Sequence, residues 1–193
     1  MKKIILGFVL FTAFTISNFA QNESLIIGKE PGTTDFSFLK SGAKFNWSDC
    51  SGKVVLIDFW ATWCAPCISS IPHMDELVEK FKNKDVVFIS LTYEKKDLVE
   101  KFLAKHPMST SIALDSDFHT FRSLNGWAIP NIFMVGKDGK IAGRIHPNKL
   151  SEEVIEDLLV GKIPDVEQTK EDMFDPEGAE KYFRELSEKS KEK

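Results

Sequence analysis

Apolar residues fall along this chain in distinct rhythms, and each rhythm predicts a different element. Lys53 to Trp60 is nearly unbroken, Val54-Val55-Leu56-Ile57-Asp58-Phe59-Trp60, and rich in β-branched residues. A run of this kind predicts a central strand covered on both faces. Val86 to Tyr93 repeats the pattern and predicts a second buried strand. Between them, Ile68, Ile71, Leu77, Val78 and Phe81 recur at helical spacing, giving the segment from Cys64 to Phe81 one broad apolar face. Pro72 inside it predicts a kink, because proline lacks the backbone donor and crowds the preceding turn. Upstream, Asp35-Phe36-Ser37-Phe38 and Phe45-Asn46-Trp47 alternate as short strands do, so a β-hairpin within residues 25–48 is expected to lead into the core.

Beyond Tyr93, Asp97 can cap a helix carrying Leu98, Phe102 and Leu103, stopping near His106-Pro107. Ser111 to Leu114 reads as a short strand, and Phe118 to Leu124 as a short helix ended by Asn125-Gly126. Asn131 to Val135 and Ile141 to Ile145 flank Lys137-Asp138-Gly139-Lys140, a strong hairpin signal. Ser151 opens a final core helix with Leu158-Leu159 on its inner face, ended by Gly161 and Pro164. Strands separated by helices, with a late hairpin, predict an α/β sandwich around a mixed sheet.

The two ends depart from this pattern. Met1-Lys2-Lys3, an apolar run from Ile4 to Ile16, then Ser17-Asn18-Phe19-Ala20 read as an export signal over residues 1–20. The run is short for a membrane span of ~20 residues. Asn18 fits poorly two positions before the expected cut, so an uncleaved membrane anchor is the alternative. The first cysteine is Cys50, which leaves no lipid-attachment cysteine near the signal. Residues 164–193 form a charged extension, in which Asp175-Pro176-Glu177 opens an amphipathic helix of about 176–188 bearing Ala179, Tyr182, Phe183 and Leu186. That helix docks on its own domain or on a partner. The remainder, 21–163, is long enough for one globular domain.

Charge narrows the partners. Removal of residues 1–20, which carry Lys2 and Lys3 and no acidic residue, takes the formal charge from −4 to −6. With no basic stripe in view, this argues against nucleic acid or an anionic membrane surface.

Chemistry concentrates in Trp63-Cys64-Ala65-Pro66-Cys67. Two cysteines at i and i+3, at a helix start, lie on one face and within the Cα separation that a disulfide needs. The helix N-terminus favours negative charge on Cys64 and lowers its pKa from ~8.5, making it the exposed attacking thiolate. Cys67, one turn in, resolves the mixed disulfide. A zinc site would need about four ligands, and the scattered His73, His106, His119 and His146 offer no second pair at usable spacing. Haem attachment would need a histidine after Cys67, where Ile68 stands. No cofactor is implied.

These residues resemble the thioredoxin superfamily, and specifically its exported TlpA/ResA-like thiol-disulfide oxidoreductases, over residues 25–163. The carrying motifs are Gly52 through Cys67, Pro72 five residues later, and Trp127-Ala128-Ile129-Pro130 before a strand and hairpin. Ile27-Gly28-Lys29-Glu30-Pro31 and Asp35-Phe36-Ser37-Phe38 are similar too, with Thr34 where that branch usually has a proline. The resemblance implies a thioredoxin-like three-layer sandwich, a central mixed β-sheet flanked by helices, with an N-terminal hairpin and an inserted strand-helix. It implies a cis Ile129-Pro130 bond beside the dithiol, with the Ile129 backbone pairing with an extended substrate; an ordinary strand-start proline is the alternative. Trp60 and Trp63 are expected to wall the site and shape the substrate-binding surface around Cys64.

Asp58 interrupts the central apolar run on the face of Leu56 and Trp60, so burial should raise its pKa. By resemblance it passes a proton to and from Cys67; a carboxylate turned to solvent or a backbone amide is the alternative. Thioredoxin itself has a lysine near this acid, and Val86 to Tyr93 contains none. Cys50 reads as a partly buried free thiol, with a regulatory or intermolecular disulfide as the alternative.

The expected function is thiol-disulfide oxidoreduction on protein thiols and disulfides, outside the cytoplasm and by resemblance periplasmic. The resemblance favours reduction and with it a membrane-bound electron donor. A thioredoxin-fold peroxidase or a non-enzymatic thiol- or metal-binding module are the competing readings.

Overall fold

The computed structural model describes residues 27–165, apart from 125 and 127. The expected leader over 1–20, the helix near 176–188 and Trp127 lie outside the described residues. The two long apolar runs stand side by side at the centre of one six-stranded sheet: β2 (Val54–Phe59) and β3 (Val86–Thr92) are parallel, joined by α1 (Ala65–Phe81). On β2's other side come β5 (Asn131–Val135) and then β6 (Ile141–Ile145), each antiparallel to its neighbour. On β3's outer side lie β4 (Ser111–Leu114), parallel, and β1 (Ser37–Phe38), antiparallel at the edge. Helices α2 (Lys96–Leu103), α3 (His119–Ser123) and α4 (Glu152–Leu159) complete the set.

Every residue of β2 is buried, as an unbroken apolar run demands. Its alternate side chains serve two cores. Val55, Ile57 and Phe59 pack with Ile89, Leu91, Phe121 and Phe133 on one face. Val54 and Leu56 pack with Met74, Leu77, Phe81, Ile155 and Leu158 on the other, under α1 and α4. A third cluster, Trp60, Ala61, Cys64, Cys67 and Val99, continues this second face past the end of β2. The expected mixed sheet flanked by helices is thus present, and its two-sided core delivers Trp60 and the residues after it to one end of the sheet.

Local signals act where they were read. Gly139 takes φ +77° in the turn between β5 and β6, a conformation few other residues adopt without strain. The Ser151 hydroxyl caps α4 by accepting from Val154 N at 3.3 Å.

Three expectations are corrected. The N-terminal hairpin is short, a bridge between Ser37 and Lys44 with Phe38 N donating to Ala43 O and Phe45 N to Phe36 O, and β1 takes β4 as its ladder partner on the other side. Trp47–Cys50 coils into a 3-10 turn because Asn46 caps it, its side chain accepting from Ser48 N. Phe36 and Phe45 stack at 4.6 Å and enter the core, leaving little chain to extend a ladder. In α2, Lys95 rather than Asp97 is the cap, so the register turns Val99 fully inward and leaves Leu98 exposed. In α1 the buried stripe is Cys67, Ser70, Met74, Leu77 and Phe81, with Ile68 and Ile71 on its margin; the helix continues through Pro72.

Gly126 shows how tightly the end of β2 is packed. A Cβ there would meet the Phe59 ring at 2.5 Å, and Phe59 is itself wedged edge-on against Phe121 at 4.8 Å. Gly126→Ala is therefore expected to destabilise the fold by about 1–3 kcal/mol through overpacking. An unchanged urea midpoint would contradict this packing.

Candidate active site

Helix α1 begins at Ala65, which makes Cys64 its N-cap and puts Cys67 in the first turn. Pro66 sits where a helix has no internal partner for its backbone N–H, so its missing donor costs nothing. The two sulfurs are joined as a disulfide across a Cα–Cα distance of 5.2 Å. Cys64 Sγ also accepts from Cys67 N at 3.3 Å, one of the orphan donors of the helix start. Negative charge on Cys64 would meet that donor and the positive end of the helix dipole together.

Cys64 is not exposed as expected. Both cysteines are buried, Cys64 at 3% and Cys67 at 4%. Trp60, Ala61 and Val99 pack around the oxidised pair, and Ile129 rests against the same cluster. The Ile129-Pro130 bond is cis, as the resemblance implied, and leads directly into β5. Trp63, by contrast, is 57% exposed and stands next to Cys64 as a surface feature.

Asp58 lies between Leu56, which packs under α1, and Trp60, which packs on the dithiol. Its carboxyl is buried, and Oδ1 has no hydrogen-bond partner. Desolvation pushes its pKa up to about 7, while the Ser90 hydroxyl pulls it partly back. Ser90 is Asp58's register partner on β3, and its Oγ is 2.7 Å from Thr110 Oγ1. This is a carboxyl held near the balance point of proton transfer at neutral pH.

Cys50 is a half-buried free thiol, raised in pKa mainly by burial, and it packs against the opposite face from the dithiol. Trp47 packs beside it in the same core. Among the described residues, no three His, Cys, Asp or Glu side chains gather into a group that could hold a metal.

Sequence reading missed Glu94. It falls just after the β3 apolar run, where a polar residue reads as loop, yet it is buried and its carboxylate binds Thr62 two residues before Cys64. No local signal marks that contact, which spans 32 positions.

A disulfide-bonded cysteine pair at a helix start on a mixed α/β sheet, with Ile129 of a cis Ile129-Pro130 bond packed against it, is the arrangement of a thioredoxin-fold thiol-disulfide oxidoreductase. A sequence model of the Redoxin family matches residues 29–159, and the chain belongs to that family. It is 31% identical over 153 residues to the thiol-disulfide oxidoreductase ResA of Bacillus cereus, covering 79% of this chain and 86% of that one. It is 26% identical over 159 residues to the ResA of Bacillus subtilis, covering 81% and 88%. Among solved structures it resembles a putative thiol:disulfide interchange protein DsbE from Chlorobium tepidum, with TM-score 0.58, 27% identity, and coverage of 72% and 100%. A putative thiol-disulfide oxidoreductase from Bacteroides vulgatus gives TM-score 0.60 and 26% identity, covering 72% and 98%.

Proposed function

We propose that this oxidoreductase is an exported reductase of protein disulfides, with Cys64 as the attacking thiol, Cys67 as the resolving thiol and Asp58 as the proton carrier. The observation that carries the assignment is Cys64 at the N-cap of α1, its sulfur already accepting the Cys67 N–H. In the reduced enzyme the Cys64 thiolate attacks one sulfur of a substrate disulfide. A Cys64–substrate bond forms and the other substrate sulfur leaves as a thiolate. Asp58 takes the proton from Cys67, whose thiolate attacks Cys64 Sγ. The Cys64–Cys67 bond forms, the substrate leaves as its second thiol, and two electrons have passed to it. Ile129 offers its backbone to an extended substrate segment, and Trp63 forms the adjoining surface.

Turnover requires re-reduction by an external dithiol, which outside the cytoplasm points to a membrane-bound electron donor. Export itself rests on residues 1–20, with 21–163 as the catalytic domain and 164–193 as an appended segment. Among the described residues no helix is long and apolar enough to cross a membrane. The tight Cys64–Cys67 pairing disfavours a peroxidase, whose reactive cysteine stands apart. Equilibrating the purified chain against glutathione tests the direction. A reductase is expected to give a midpoint towards about −270 mV, the thioredoxin end, and a midpoint near about −120 mV would contradict it.

A further inference from the structure

Glu94 has no part in the exchange steps above, yet it is fastened to the turn that carries Cys64. Its Oε2 accepts from Thr62 N at 2.6 Å and its Oε1 from the Thr62 hydroxyl at 2.8 Å. The Thr92 hydroxyl adds a longer contact to Oε2 at 3.4 Å, and Glu94 N donates back to Thr92 Oγ1 at 3.3 Å. Thr62 lies inside the turn closed by Cys64 N donating to Ala61 O at 3.0 Å. The end of β3 thus grips the middle of a turn whose last residue is the cysteine. From the other side of the same junction, α2 sends Val99 into the dithiol cluster.

We propose that Glu94 is a positioning residue that keeps the dithiol reducing, by anchoring the Ala61–Cys64 turn and by holding a negative charge close to Cys64. The inference rests on the reading of Cys64 as the attacking thiol. The turn closed by Cys64 N on Ala61 O folds Thr62 back beside Cys64, so the carboxylate it binds is held within about one Debye length of the cysteine backbone, where a partly buried charge is weakly screened. A dithiol oxidises its partners when its reduced form, with one sulfur as thiolate, is stabilised. The α1 N-terminus and the Cys67 N–H push in that direction. A fixed carboxylate opposes them, makes the thiolate less favourable, and leaves the pair readier to give electrons away.

The other charged groups around the pair do not cancel this effect. Asp58, on β2, is also an acid; on α2, Lys96 and Glu100 are exposed and pair with each other at 3.7 Å, while Lys95 and Asp97 are exposed. The first turn of α1 contains no acidic residue. A buried carboxylate is costly without donors, and the two donors of Thr62 are what allow one here. An uncharged side chain could tie the turn as well, so the charge is the informative part.

Glu94→Gln separates charge from anchoring. The amide oxygen can accept the Thr62 N–H, and the amide N–H can donate to the Thr62 hydroxyl oxygen, so both ties survive while the charge goes. In glutathione equilibration of the full chain, this variant is expected to shift its equilibrium constant about tenfold, or about 30 mV, towards the oxidising side. Alkylation of Cys64 by iodoacetamide should begin at lower pH in the same variant. Thr62→Val keeps the charge and the backbone tie, and it should stay within about threefold of wild type. A Glu94→Gln protein with native circular dichroism and unchanged potential and alkylation profile would overturn the inference. A Thr62→Val shift as large as that of Glu94→Gln would overturn the role of charge. Alkylation of wild type falling first on Cys67 would instead overturn the underlying assignment of Cys64.

Discussion

Cys64→Ser is expected to abolish disulfide exchange, by at least about 10³-fold, whereas Cys67→Ala should abolish turnover but still capture substrate. The difference follows from their places on α1. Cys64 is the N-cap, where the helix dipole and the Cys67 N–H meet its sulfur, and a serine hydroxyl there can neither form a disulfide nor ionise near neutral pH. Cys67 lies one turn in and acts only after the mixed disulfide exists, so its loss blocks release and leaves attack intact. Insulin reduction with an added dithiol reads turnover, and non-reducing electrophoresis reads capture. Equal loss of capture in both variants would remove the division of labour between them.

Asp58→Asn is expected to have opposite effects on catalysis and stability. Resolution of the mixed disulfide should slow by about 10²-fold, and its rate should lose the step near pH 7 that a carboxyl with a pKa of about 7 imposes. Stability should move the other way. An unfolded aspartate titrates near ~3.9, so the folded chain binds the proton more tightly. Stability linked to Asp58 is fully present below that value, falls as pH rises through about 7, and stays lost above it. Asparagine carries no such penalty. The variant should therefore exceed wild type at pH 8 by on the order of a few kcal/mol, and the gap should shrink towards pH 4. Urea unfolding at the two pH values reads this difference, and a gap independent of pH would show that Asp58 is not buried as an acid.

Elements whose cause is local were legible before the structure. β2 and β3 needed only their apolar runs, the β5–β6 turn only Asp138-Gly139, and α4 only its Ser151 cap. The errors arose where tertiary partners decide. The second strand of the N-terminal hairpin gave way to the Trp47–Cys50 turn while β1 found its ladder in β4, more than 70 positions away, and packing on Trp60 and the dithiol chose Val99 over Leu98 as the inner residue of α2. The site divides in the same way. Cys64, Cys67 and Asp58 announce themselves by type and spacing. The burial of Cys64 does not, because Trp60, Val99 and Ile129 reach it from three separate segments. Glu94 was silent for a related reason, since its meaning lies wholly in its grip on Thr62.

In the proposed exchange Cys64 captures protein disulfides and Cys67 releases them. Mass spectrometry of the mixed disulfides formed by Cys67→Ala in its own host reads that division of labour. The expected result is a set of exported proteins, each linked through Cys64 and absent from the Cys64→Ala/Cys67→Ala double variant. Linkage through Cys50, or no linked protein where a control oxidoreductase traps its own partners, would contradict it.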